Sequence, residues 1–423
     1  MAKVKKRPRV KPINNFLVLF IISVFQIITG YVGASCGKKF EMKAMLALLI
    51  LVATEWVYLI VFYTAFHRRN FELELIAFFL SGVGLVTIGS VYPSSAFKQY
   101  FMVLAGMLVF IFMVFLLGHV DFCMKIRPYV AGAAILLLIV NIAIAGTTNG
   151  ARNWITIGGE HGFTLQPSEF VKIAFIFVGA ATLEKIQTSR NIIAYIVFSV
   201  ACVGSLIIIR DFGTALIFFI TFLIIAFMTS GDIKTIALAI ASAVMGGAIV
   251  LKYKAYVLRR FDVYRHVWDD PFGQGMQQTR VLVGIASGGL FGVGIGNGYV
   301  RTYYAPVSDS IFGVICEEWG FIFGILLVLS FVAIAVSALV NAIASRSAFY
   351  SIAAVAGAGL LLFQCGLNVF GITDILPLTG VTIPFISLGG SSMISCWAIL
   401  GFIKASDVRT YNYLGAANKG GAR

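Results

Sequence analysis

Hydrophobic runs of about 20 residues recur along this whole chain. A helical run of that length matches the roughly 30 Å hydrocarbon core of a bilayer. The runs cover 15–35, 43–66, 72–92, 99–118, 128–147, 169–184, 191–209, 213–230, 234–252, 311–338, 349–372 and 388–404. They predict an all-α polytopic membrane protein with about 12 transmembrane helices. Composition agrees: 60% of the 423 residues are hydrophobic, 12% are charged, and the mean hydropathy is +0.95. Soluble domains carry about 25% charged residues, so one soluble core does not absorb this much apolar sequence.

The net charge is +14. No nucleic-acid-binding signature accompanies it, and the surplus fits the basic flanks of membrane helices better than a nucleic-acid surface. With the N-terminus inside, the inner segments hold 18 Lys and Arg; the outer ones hold 7 once the 7 of the long loop region, 252 to 301, are set aside. That bias predicts both termini in the cytoplasm, residues 1–14 forming a basic tail and 406–423 a second one. The run after the basic start is long enough to span and ends in no clear cleavage pattern, so it reads as a retained helix. The six cysteines are scattered with no C-x-x-C, and the four histidines have no metal-ligand spacing, so neither a disulfide framework nor a zinc site is expected.

Three non-helical segments fall on one side, taken as the outer: 147–169, 253–310 and 372–392. Long loops in compact proteins are usually functional. The last is broken at Pro377, Thr379-Gly380 and Pro384. Irregular backbone at membrane depth needs protein or a wet cavity beside it.

The acids in "SDSIFGVICEEWGF" have separate expected roles. Asp309 stands at the end of the outer loop, near water, where it can accept a proton. Glu317 and Glu318 lie eight and nine residues deeper, about 12 Å along a helix, where charge is costly unless paired. They are expected to form structural ion pairs, with Lys172, Arg210 and Arg152 as candidate cations. Glu169 and Lys172 are three apart and share a helix face. Arg259 and Arg260, in the aromatic stretch "YVLRRFDVYRHVW", suit an anionic headgroup. The glycines of 284–298 allow either close N–H approach to phosphate or close backbone packing. No G-x-G-x-x-G after a strand is present, so a dinucleotide fold is excluded.

Five stretches together resemble one family. "NGARNWITIG" with "LQPSEFVKIAFI", "RDFGTALIF", "QGMQQTRVLVGIASGGLFGVGIGNG", "SDSIFGVICEEWGF" and "LPLTGVTIPFISLGGSSMI" are similar, in order, to motifs of the SEDS (shape, elongation, division and sporulation) family, which includes FtsW, RodA and SpoVE. The resemblance runs from about 71 to 405. It implies a ten-helix core over 71–405, leaving 15–70 as an added N-terminal hairpin. It also implies a peptidoglycan glycosyltransferase in the bacterial cytoplasmic membrane that polymerises lipid II on the outer side, during division, elongation or sporulation, beside a class B penicillin-binding protein. Carried over residue by residue, the essential aspartate is Asp309, and the essential residues of the first motifs are Arg152, Glu169 and Lys172. Arg210, Asp211, Gln277 and Ser387 join them, with Arg259 and Arg260, as substrate-binding candidates. Three departures are plain: Ser310 replaces an aromatic, Val307-Ser308 replaces His-Thr, and Arg210 stands where proline is frequent.

Such a reaction needs a base for the acceptor hydroxyl and cations or N–H donors for the leaving diphosphate. A divalent cation, magnesium or manganese, is compatible with it, although the sequence holds no clear metal cage. The alternatives are a lipid II flippase, which would mark both faces of the membrane, and a non-catalytic scaffold for a transpeptidase.

Overall fold

The computed structural model describes residues 14–37, 39–148, 151–157, 163–182, 189–234, 237–242, 244, 262–303 and 305–411. Its helices are α1 (Asn15–Ala34), α2 (Met42–Thr64), α3 (Glu72–Val91), α4 (Ala96–Leu116), α5 (Val120–Ile144), α6 (Pro167–Thr182), α7 (Ser189–Ile209), α8 (Phe212–Ser230), α9 (Met276–Gly288), α10 (Ile311–Trp319), α11 (Phe321–Ile343), α12 (Ala348–Ile372) and α13 (Gly390–Ser406). A small antiparallel sheet of β1 (Gly146–Thr148), β2 (Ala151–Ile157) and β3 (Phe163–Leu165) connects α5 to α6.

Among the described residues, nine helices are long and apolar enough to cross a bilayer: α1 to α5, α7, α8, α11 and α12. Helices α6 and α13 are shorter, 16 and 17 residues, and pack inside the bundle. Helix α13 lies against α4, α12 and α6. Its Trp397 is fully buried among Phe78, Phe110 and Phe385, where Gly106 of α4 leaves room for the indole. The predicted span 234–252 falls largely outside the described residues.

The helix starts follow local chemistry. The Asn14 side chain caps α1 by accepting from the N–H groups of Phe16 and Leu17. Pro167 opens α6, where its missing N–H costs nothing. Asp211 caps α8 through the Thr214 N–H, and α8 ends on Gly231 in the left-handed conformation that favours glycine.

Two sequence expectations change. The segment 147–169, read as a loop, folds largely as the sheet. The predicted span 311–338 is two helices, α10 and α11, broken at Gly320, whose φ is 95°. A break inside a membrane protein must satisfy the backbone groups it frees. Here the glycine-rich loop does so. The N–H groups of Val293 and Gly294 donate to Glu317 O at 2.9 Å and Glu318 O at 3.0 Å, and the Phe321 N–H donates to Gly289 O at 2.9 Å. The approach requires glycine. A Cβ on Gly292 would lie 2.4 Å from Glu318 O, and Gly292 has φ 82°. The glycines of 284–298 thus serve backbone packing. Gly292→Val is expected to cost at least about 2 kcal/mol, from left-handed strain plus backbone overlap. Gly231→Ala, with φ 62° and nothing within 4 Å of the added Cβ, is expected to cost about 1 kcal/mol. Thermal melting in detergent checks the ordering.

Helix α3 connects two distinct ends of the bundle. At its start, Glu74 accepts from Lys404 Nζ at 2.9 Å and from Arg68 Nη2 at 2.7 Å, while Asn70 donates to Asp407 at 2.7 Å. At its far end, about 25 Å along the helix, Arg301 donates to the carbonyl of Ser90. The hairpin α1–α2 packs on α3 and α4. Buried Gln26 ties the three helices together by donating to Glu55 Oε1 of α2 at 3.1 Å and Phe78 O of α3 at 3.2 Å.

Candidate functional site

The segment between α12 and α13 holds the motifs together at the Ser90–Arg301 end of the bundle. Its backbone is irregular, with positive φ at Gly380 (71°) and Phe385 (63°). Such a chain leaves carbonyls unpaired, and buried polar groups of the neighbouring helix take them up. Gln364 Nε2 donates to Thr382 O at 3.0 Å, and Asn368 Nδ2, one helical turn on, donates to Val381 O at 2.6 Å. Ser387 Oγ accepts from the Ile383 N–H at 2.9 Å.

Asp309 sits in the tight turn just before α10, and three bonds fix that turn. Asn368 Nδ2 donates to Asp309 O at 2.9 Å, Ser387 Oγ donates to Ser308 O at 2.8 Å, and the Leu388 N–H donates to Val307 O at 2.8 Å. The carboxyl faces Gly380, where a Cβ would lie 3.5 Å from Oδ2. Asp309 is half-buried, and burial pushes its carboxyl up to about 6, against a Ser308 hydrogen bond that lowers it. Ser310 Oγ accepts from Gln277 Nε2 at 2.9 Å. A small cavity lined by Gln277, Arg280, Tyr303 and Ser310 among others abuts this turn. The Arg280 guanidinium lies 5.1 Å from the Tyr303 ring and 5.3 Å from that of Phe272.

A second carboxylate reaches the same segment from the other side. Asp211 Oδ2 accepts from Gln166 Nε2 at 3.2 Å and Asn153 Nδ2 at 3.3 Å. Two residues on, Gly213 packs against Thr379 and Val381, so 379–381 lies between the start of α8 and the Asp309 turn. Below it is a buried pair. Lys172 Nζ donates to Glu169 Oε1 at 2.8 Å and to Gln364 Oε1 at 3.0 Å, and Ser395 Oγ donates to Glu169 Oε2 at 2.6 Å.

The chain thus brings Asp309, Gln277, Ser387, Asp211, Glu169 and Lys172 onto or next to one segment. Arg210, exposed and with φ 69°, adjoins Asp211. Arg152 lies on β2, its side chain outside the described residues; Arg259 and Arg260 also lie outside them. A cation pairs with Glu318, which Arg301 approaches at 3.5 Å. At Glu317 the expectation of a cation gives way to neutral donors: the Val300 N–H at 2.8 Å and the Ser287 hydroxyl at 3.4 Å. The glycine loop brings that N–H close enough to take the cation's place. Lys172, an expected partner of these glutamates, is committed to Glu169 and Gln364. Among the described residues, no three His, Cys, Asp or Glu side chains converge on one point. A divalent cation here would draw most of its ligands from substrate phosphates and water.

Sequence reasoning missed Gln364, Asn368, Gln166, Asn153 and Arg301. The first two carried a signal: carboxamides at i and i+4 on an otherwise apolar membrane helix are rarely idle.

A family model described as "Cell cycle protein" (FtsW, RodA, SpoVE) matches residues 75–412, beginning within α3 and leaving the hairpin α1–α2 outside. The chain is 31% identical over 272 residues to stage V sporulation protein E of Bacillus subtilis, covering 61% of this chain and 72% of that protein. It is 32% identical over 314 residues to the probable peptidoglycan glycosyltransferase FtsW of Pseudoalteromonas translucida, covering 71% and 77%. Its fold matches a chain from a structure described as the structural coordination of polymerization and crosslinking by a peptidoglycan synthase complex, with TM-score 0.68 at 24% identity, over 79% of this chain and 96% of that one. The motifs, the fold and the extent of the match agree: this chain belongs to the SEDS family of FtsW, RodA and SpoVE cell cycle proteins.

Proposed function

We propose that this protein is a peptidoglycan glycosyltransferase that polymerises lipid II at the outer face of the cytoplasmic membrane, with both termini inside. The observation that carries the reading is Asp309: a half-buried carboxyl whose proton affinity is raised to about 6, held in a pinned turn beside an open glycine. A general base works best with a pKa close to the operating pH.

In this reading Asp309 takes the proton from the 4-hydroxyl of the acceptor sugar. That oxygen forms a bond to the anomeric carbon of the donor, and the bond from that carbon to the polyprenyl diphosphate breaks. The diphosphate leaves with the electron pair and needs positive charge nearby. Arg210, Arg280 and the loop arginines Arg152, Arg259 and Arg260 are the candidate partners. Asp211, Gln166 and Asn153 offer hydrogen bonds to sugar hydroxyls. The prenyl tail remains in the apolar grooves between helices. A class B transpeptidase is the proposed partner; the reading is supported by the described coordination of polymerization and crosslinking in a peptidoglycan synthase complex, one chain of which has the fold of this protein.

The test is purified protein in detergent with labelled lipid II and its transpeptidase. Detergent has no sidedness, so glycan polymer formed there cannot come from flipping. Polymer is expected, with kcat/KM level above pH 6 and falling about tenfold per unit below it as Asp309 takes up its proton. Lipid II left unpolymerised there, but moved across vesicle membranes, would support a flippase instead.

A further inference from the structure

We infer that Asn368 is a positioning residue for the polymerisation reaction, its single carboxamide setting the turn that carries Asp309 against the segment 379–383. The inference rests on Asp309 acting as the base.

Asn368 lies on α12, almost wholly buried, and a carboxamide nitrogen has two hydrogens to give. One goes to Asp309 O at 2.9 Å and the other to Val381 O at 2.6 Å. These carbonyls belong to chain segments more than 70 residues apart in sequence. Both segments are irregular, and the amide bridges Asp309 itself to Val381, alongside the bonds from Ser387 and Leu388 to the carbonyls of Ser308 and Val307. Val381 follows Gly380, the residue faced by the Asp309 carboxyl.

The amide oxygen makes the position harder to explain by stability alone. Asn368 Oδ1 is buried and accepts from no protein group. An unpaired buried acceptor is a cost, and it is retained where the donors on the same amide are needed. Gln364, one turn earlier, continues the bridge to Thr382 O and Lys172. Helix α12 thereby holds the Asp309 turn, the 379–383 segment and the buried pair in one register.

Reacting groups must stand in near-attack geometry, and a displacement of about 1 Å costs about 10²-fold in rate. Asn368→Leu keeps the volume and the helix while removing both donors. The expected result is a fall in kcat of about 10²-fold per folded molecule, with KM for lipid II changed less than about threefold. The acid limb of the rate profile should also move to lower pH, as a loosened turn admits water to Asp309. Asn368→Gln keeps the donors but lengthens their reach. It should fold where Leu does not, and show an intermediate kcat with the same direction of shift. Gln26→Leu is the comparison. It removes a buried carboxamide that also joins three helices, through Glu55 and Phe78 rather than the Asp309 turn, and should lower melting temperature while leaving kcat of the folded protein unchanged. If folded Asn368→Gln and Asn368→Leu keep the wild-type kcat and acid limb, the positioning role is overturned. An inactive wild type, or an active Asp309→Asn, overturns the polymerase reading instead, so the two failures are distinguishable.

Discussion

Lys172→Met is expected to destabilise the protein by about 3–5 kcal/mol, the usual cost of leaving one member of a buried ion pair uncompensated. Lys172 and Glu169 are 1% and 3% exposed, so water does not replace the lost partner. The carboxylate would keep only the Ser395 hydroxyl, and Gln364 Oε1 would lose its donor. Because the other end of Gln364 holds Thr382 O, the damage should spread into the segment beside Asp309, and activity should fall with stability. A double replacement, Glu169→Met with Lys172→Met, separates the causes. Removing both charges together is often near neutral, so melting should recover most of the loss in a strongly non-additive cycle. Polymerisation should not recover, since Gln364 still lacks its anchor. A double-variant loss equal to the sum of the Glu169→Met and Lys172→Met losses would show that the pair contributes nothing as a pair.

How much of this was legible in the chain depended on what each feature leaves in the sequence. The spans were readable because a bilayer imposes a length and an apolar composition, and α1, α2, α3, α8 and α12 lie close to their predicted bounds. The Glu169–Lys172 pair was readable because i, i+3 spacing fixes a shared helix face. The break at Gly320 was not, because "EEWGFIFG" stays apolar beyond it and a lone glycine is tolerated within helices. What makes that break stable is a loop some 25 residues away that supplies N–H groups to Glu317 O and Glu318 O. The pairing of β1 with β2 did carry a signal, Asn149-Gly150 beside alternating "WITI", but the expectation for the stretch is a long functional loop. The neutral partners of Glu317 were hidden for a related reason: backbone donors have no letter of their own in a sequence.

Asp309→Asn should reduce polymerisation by at least the 10²–10⁴-fold that a general base supplies, because the amide accepts no proton at neutral pH while keeping the shape. The fold should not suffer. The turn is held by Asn368, Ser387 and Leu388 through main-chain oxygens that the substitution leaves alone. Stability should in fact rise at neutral pH. The folded-state pKa of about 6 lies above the ordinary 3.8, so the native protein binds the proton more tightly than the unfolded chain. The wild type therefore gains stability as pH falls from about 6 to about 4 and loses it as pH rises back through 6, whereas the Asn variant has no such dependence from this site. An activity lost together with a melting temperature kept or raised is the signature of a group maintained for chemistry at some expense to the fold.

The most direct measurement is a side-by-side polymerisation assay of purified wild type and Asp309→Asn, each in detergent with labelled lipid II and the partner transpeptidase. Chain length is read on a gel and folding by melting. Long glycan from the wild type and none from an equally well-folded Asn variant is the predicted result. Comparable glycan from both would contradict the account at its centre.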